Sequence, residues 1–160
     1  MYAYVRTDKM SGTTLAKDLA SAKFYESDSE AAIENGNIVT LGALIEGERE
    51  VKKATAPAAD TALRDLYLVA SPEVVKTKNY YGLGDFRNEA GDIIRCYRLT
   101  SADQFSVTKE ALDASADIAV GDIVEAQAGT KMSVVKSATG STKIGTVIAL
   151  EDEYIVIEVA

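Results

Sequence analysis

Few side chains in this sequence could do chemistry, and their spacing decides what chemistry that would be. Asp60, Asp65, Asp85 and Asp92 are carboxylates of the kind that serve as acid/base pairs or as oxygen ligands for Mg²⁺ or Ca²⁺. Their separations put no two of them on one face of a helix or strand. Glu46, Glu48 and Glu50 share a parity but border a loop, where a solvated hairpin edge accounts for them, and charge there discourages edge-to-edge pairing. Cys96 is the only thiol and lies in Ile93-Ile94-Arg95-Cys96-Tyr97, a setting that suits a small hydrophobe better than a nucleophile. Gly82-Leu83-Gly84-Asp85 has the glycines of a phosphate loop but lacks its Lys and Ser/Thr, and no helix starts after it to hold an anion. Histidine is absent, which removes Ser-His-Asp and Cys-His catalysis and, with a single cysteine, leaves no ligand set for a transition metal. These residues point to a protein that is not an enzyme and has no metal or cofactor.

Composition narrows the partners. The 160 residues, 47% hydrophobic and 26% charged, suffice for one ordinary domain with its own core. A net charge of −8 opposes binding to nucleic acid or to an anionic membrane, and the basic residues are scattered, with Lys52-Lys53 the longest run. No apolar run approaches the ~20 residues that span a bilayer. Met1-Tyr2-Ala3-Tyr4-Val5-Arg6 shows no basic stretch leading into an apolar one, so synthesis and folding in the cytoplasm are expected. Partners are then expected to be proteins.

The elements that would position any surface are mostly strands. Ile38 to Leu44 and Arg49 to Ala54 flank Glu46-Gly47-Glu48, a hairpin loop. Leu66 to Ala70 is a short, wholly apolar strand ended by Ser71-Pro72, and Asn88-Glu89-Ala90-Gly91 is a turn before a strand from Ile93 to Leu99. Gln104 to Val107 precedes a single helical turn that Thr108 can cap, and Ile123 to Ala126 pairs with Met132 to Lys136. Ile144 to Leu150 reads as a strand covered on both faces; Tyr154 to Val159 places Ile155, Ile157 and Val159 on one face. Residues 1–32 are the least regular: Leu15, Ala16, Leu19 and Ala20 have helical spacing, and Ser27 with Glu30 has that of a capping box. This segment is expected to be an N-terminal arm.

Two stretches repeat one another. Gly36-Asn37-Ile38-Val39 leads to Val51-Lys52-Lys53-Ala54-Thr55, and Gly121-Asp122-Ile123-Val124 leads to Val135-Lys136-Ser137-Ala138-Thr139. Neither carries catalytic groups, so the repetition is architectural: a turn, a strand, a loop and a second strand, used twice. The expected fold is mainly β, a compact barrel or sandwich of about ten short strands with one or two helical turns. Its β domain spans 33–160, with related halves at about 33–75 and 118–160. Tyr2, Tyr4, Tyr80, Tyr81 and Phe86 lie where core packing does not demand them and are the candidate partner contacts, since tyrosine buries area while keeping a polar tip.

Beyond this local reading, the chain from about residue 33 onward resembles small head-associated virion proteins of tailed phages and prophages of Gram-positive bacteria. The residues that carry the resemblance include Ile33-Glu34-Asn35-Gly36, Leu41-Gly42, Gly47-Glu48-Arg49-Glu50-Val51, Leu68-Val69-Ala70-Ser71-Pro72-Glu73-Val74 and Phe86-Arg87-Asn88-Glu89-Ala90-Gly91. To these are added Tyr97-Arg98-Leu99, Ala119-Val120-Gly121-Asp122 and Ala128-Gly129-Thr130-Lys131. The resemblance implies a capsid-decoration or head-fibre-base protein: β-rich, without enzymatic activity, self-associating as a trimer or as repeated copies, bound to the major capsid protein on the virion surface. On this view residues 1–20, with Tyr2 and Tyr4, form a docking arm. The alternatives are another virion component, such as a head–tail connector or tail-tube-like β protein, and a small-molecule or glycan-binding barrel.

Overall fold

A computed structural model describes residues 1–74, 82–114 and 116–160. Among them run thirteen strands: β1 (Val5–Lys9), β2 (Leu19–Glu26), β3 (Ser29–Glu30), β4 (Ile38–Leu44), β5 (Val51–Thr55), β6 (Leu66–Val69), β7 (Ile94–Arg98), β8 (Gln104–Thr108), β9 (Leu112–Ala114), β10 (Ile123–Glu125), β11 (Met132–Val135), β12 (Lys143–Glu151) and β13 (Tyr154–Val159). Among the described residues the only helical elements are short 3-10 turns, so the fold is mainly β, as the strand and turn spacing predicts. One sheet runs β3-β2-β5-β4-β6-β7 and closes on itself through β2–β7; the other runs β1-β8-β13-β12-β10-β11-β9.

The two sheets are built alike. In the first, β4 lies between β5 and β6, antiparallel to both, and β5 is parallel to β2. In the second, β10 lies between β11 and β12, antiparallel to both, and β11 is parallel to β9. β7 then returns to β2, and β13 returns to β8, which passes through the 3-10 turn Lys109–Ala111 directly into β9. Counting β8 and its continuation β9 as one strand, each half is laid out as a small five-strand barrel, the first closed by the β2–β7 pair and the second joined at β8/β9 by the chain and not by a strand pair. The repeat is wider than segments 33–75 and 118–160, because β2, β7, β8 and β9 belong to it.

The glycine turns of the repeat are equivalent down to their hydrogen bonds. The Gly36 amide donates to the Val69 carbonyl (2.8 Å) and the Val69 amide to the Asn37 carbonyl (2.8 Å). The Gly121 amide likewise donates to the Val147 carbonyl (2.8 Å) and the Val147 amide to the Asp122 carbonyl (2.9 Å). Both glycines sit at positive φ, +83° and +95°, which a side chain resists. The second part of the signature is not equivalent. Val51 opens β5 whereas Val135 closes β11, so the shared V-K-x-A-T letters fall on different registers.

Strand alternation distributes the core. In β6, Tyr67 and Val69 point into the first barrel with Ala22, Phe24, Val39, Ala54, Ile94 and Cys96. Leu66 and Leu68 point the other way, into a larger cluster with Ile38, Leu99, Phe105, Ile144 and Ile157. That double role explains why β6 is apolar at every position. It also welds the barrels: the outer face of the first is part of the core of the second.

The N-terminal segment differs from the expected arm. β1 pairs with β8, and β2 pairs with both β5 and β7, so residues 1–32 are built into both sheets. Helical spacing at Leu15 to Ala20 yields only the 3-10 turn Ala16–Asp18, after which β2 begins, because the two-sided pairing of an eight-residue strand outweighs a weak local helical pattern. Ser27 and Asp28, at φ 45° and 67°, form a two-residue hairpin connection of the primed type between β2 and β3, where the sequence suggests a helix cap. The covered look of Ile144 to Leu150 also fails at its far end. A bulge between Val147 and Ala149 shifts the alternation, leaving Ile148 38% and Leu150 48% exposed.

Candidate contact surface

Among the described residues no group of three Asp, Glu, Cys or His side chains is placed to hold a metal ion. Cys96 is fully buried in β7, and burial pushes its thiol up to about 12, which suppresses the thiolate. Gly82-Leu83-Gly84-Asp85 is a loop with one 3-10 turn, Leu83–Asp85, and no helix follows it.

Several buried polar residues brace the fold through hydrogen bonds. Asn35, fully buried, donates to the Ser71 carbonyl (2.8 Å) and accepts from the Ser71 amide (3.0 Å), and Asn88 donates both to Asn35 Oδ1 (3.2 Å) and to the Ile33 carbonyl (3.0 Å). This network pins the segment after β6 against the bridge between Ile33 and Asn88. Glu125, 1% exposed, is satisfied by the amide and hydroxyl of Thr139 (3.1 and 2.5 Å). In the second glycine turn, Asp122 accepts from Lys136 Nζ (2.7 Å) and the Ala119 amide (2.8 Å), and these donors hold its carboxyl below the usual range.

Two of the candidate contacts come together. The Tyr2 amide donates to the Gly84 carbonyl (2.7 Å), and the Arg87 guanidinium lies 5.2 Å from the centre of the Tyr2 ring. Phe86, between them in the loop, is half-buried and faces a groove of about 510 Å³ shared with Pro72, Val74 and Ile93. Val74 and Ile93 on this groove are 71% and 55% exposed, and Leu83, next to Gly84 in the loop, is 44% exposed, so the region presents three large apolar side chains to solvent.

Tyr4 does not belong to this surface. It is 5% exposed and packs edge-on against Tyr154, ring centres 5.7 Å apart and planes at 84°. Burial first, and then the neighbouring Glu153 carboxylate, hold its hydroxyl proton well above the ordinary phenol range. Tyr4 is thus a packing residue that the local sequence gave no reason to bury, since its partner lies 150 residues away in β13. Tyr80 and Tyr81 lie outside the described residues. Leu83, Val74 and Ile93 were missed by sequence reasoning. An Ile-Ile pair at 93–94 with only one member able to face the barrel is the signal that would have found Ile93.

Comparison with protein-family models, with curated proteins and with solved structures found no match to this chain.

Proposed function

We propose that the protein is a non-enzymatic structural component of a tailed-phage virion, which binds the capsid and stabilises or decorates it. The observation that carries the reading is the exposed apolar surface around Phe86, Ile93, Val74 and Leu83, held by a loop that the Asn35–Ser71–Asn88 network fixes. A rigid platform with apolar side chains already in solvent loses little conformational entropy on docking. Many identical weak contacts on a symmetric shell then add through multivalency. The ligand-binding barrel is the weaker reading, because the interior of the first barrel is filled by Phe24, Tyr67, Val69, Ile94 and Cys96.

The test is co-sedimentation of the purified protein, and of its Phe86→Ser/Ile93→Ser variant, with intact capsids of the phage or prophage that encodes it. Saturable pelleting by the parent that the variant loses supports the reading. Pelleting by neither protein, with both folded, removes it.

A further inference from the structure

Asn35 stands directly before Gly36 and is the only asparagine in the chain that a glycine follows. That dipeptide is chemically fragile: with no Cβ on the glycine, its amide nitrogen can swing onto the side-chain carbonyl carbon of the asparagine. The reaction needs a deprotonated glycine amide, a carboxamide free to turn towards it, and water. The first glycine turn withholds all of these. The Gly36 amide proton is committed to the Val69 carbonyl (2.8 Å). The Asn35 carboxamide is held at both ends. Its Nδ2 donates to the Ser71 carbonyl (2.8 Å) and to Glu73 Oε1 (3.2 Å), while Oδ1 accepts from the Ser71 amide (3.0 Å) and Asn88 Nδ2 (3.2 Å). Asn35 is also 0% exposed, which keeps solvent away. The second turn carries no such group, because Val120 precedes Gly121.

We propose that Asn35–Gly36 is a latent deamidation site, kept as asparagine by the folded turn and converted irreversibly once that turn opens. In the opened chain, hydroxide takes the Gly36 amide proton and the nitrogen attacks Asn35 Cγ. A new N–Cγ bond forms and the Cγ–Nδ2 bond breaks. Nδ2 leaves as ammonia with a proton from water, and a five-membered succinimide remains. Water then opens the ring at Cγ to give aspartate, or at the main-chain carbonyl to give isoaspartate; nothing is oxidised or reduced. Neither product rebuilds the turn. Aspartate sets an oxygen where Nδ2 stood, against the Ser71 carbonyl and the Glu73 carboxylate, which accept hydrogen bonds and do not donate them. A buried carboxylate oxygen left without a donor is costly. Isoaspartate routes the main chain through the former side chain and adds a methylene, which carries Gly36 away from Val69. Opening at this point therefore marks a chain permanently.

The test uses the whole chain. It is incubated in mildly alkaline buffer, with and without urea enough to unfold it, and digested at intervals for mass spectrometry. The peptide holding Asn35 should convert in urea and, in buffer, at least about a hundredfold more slowly, since opening must break the hydrogen bonds to Ser71 and Val69. Asn88→Ala removes a donor to Oδ1 and leaves the dipeptide itself unchanged, so it should speed conversion in buffer and not in urea. Chains converted in urea and returned to buffer should show a lowered urea midpoint, or no folded signal by circular dichroism, beside unconverted chains that refold. Conversion in buffer as fast as in urea overturns the proposal, and so does a converted chain that regains the parent's midpoint. Capsid binding enters none of these readouts, so they decide the point whether or not the protein decorates a shell.

Discussion

Gly36 and Gly121 make the same clasp in different surroundings, so alanine at each separates backbone strain from crowding. A β-carbon in the left-handed region costs about 1–2 kcal/mol, and about 0.4–1 kcal/mol returns because alanine narrows the unfolded ensemble. At Gly121 an added Cβ would meet nothing within 4 Å, so Gly121→Ala should lose only about 1 kcal/mol. At Gly36 the same atom would sit 3.1 Å from Ala111 Cβ and 3.2 Å from Val107 Cγ1, both in the core, and 3.7 Å from the Tyr4 carbonyl oxygen. Overpacking there adds about 1–3 kcal/mol, giving roughly 2–4 kcal/mol for Gly36→Ala. Urea denaturation followed by far-UV circular dichroism and tyrosine emission reads both losses, and thermal melts should move by about 2–4 °C per kcal/mol. Equal losses, or a larger one at Gly121, would refute the claim that the first clasp is wedged between the barrels and the second is open.

Three further outcomes follow from the buried groups. Cys96 should be inert to a disulfide exchange reagent in the native protein at pH 8 and react at once in urea, because burial lifts its thiol to about 12; reaction of the native state would mean β7 opens. Asn35→Ala should lose roughly 2–3 kcal/mol by urea denaturation, since it leaves the Ser71 amide without its acceptor and the Ser71 carbonyl without the Asn35 donor, while the Asn88 amide group keeps only the Ile33 carbonyl. Lys136→Gln tests the second turn. Asp122 has its folded pKa depressed, so the pair's contribution is complete above the unfolded carboxyl value and is lost as pH falls through the lower folded one. The parent should therefore exceed Lys136→Gln in urea midpoint at pH 7, and the gap should close below about pH 4.

How much was legible varied with where each element finds its partners. The β13 limits and its buried Ile155, Ile157 and Val159 followed from alternation alone, because a strand covered on one face writes that face into its sequence. The apolar run of β6 announced burial on both faces but not the reason, which is that it serves two cores at once. β2 was hidden. Its Leu-Ala-Ser-Ala opening is small and polar, its pairing partners lie at Val51 to Ala54 and Ile94 to Tyr97, and local spacing there resembles a helix. The hairpin at Ser27-Asp28 was hidden too, since neither residue is glycine yet both occupy positive φ. Of the candidate contact residues, Phe86 and Tyr2 were legible only as aromatics in loops. Tyr4 looked the same and is buried, because exposure in an edge region is set by the element that packs over it.

Occupancy on the capsid tests the central claim most directly. Increasing amounts of the protein are mixed with intact capsids of the phage or prophage proposed to encode it, pelleted, and the bound copies counted against the major capsid protein. A decoration protein should saturate at a fixed ratio that matches a symmetric set of shell positions, with binding lost in Phe86→Ser/Ile93→Ser. Protein that stays in the supernatant at every concentration, while folded and at low ionic strength, would contradict the account.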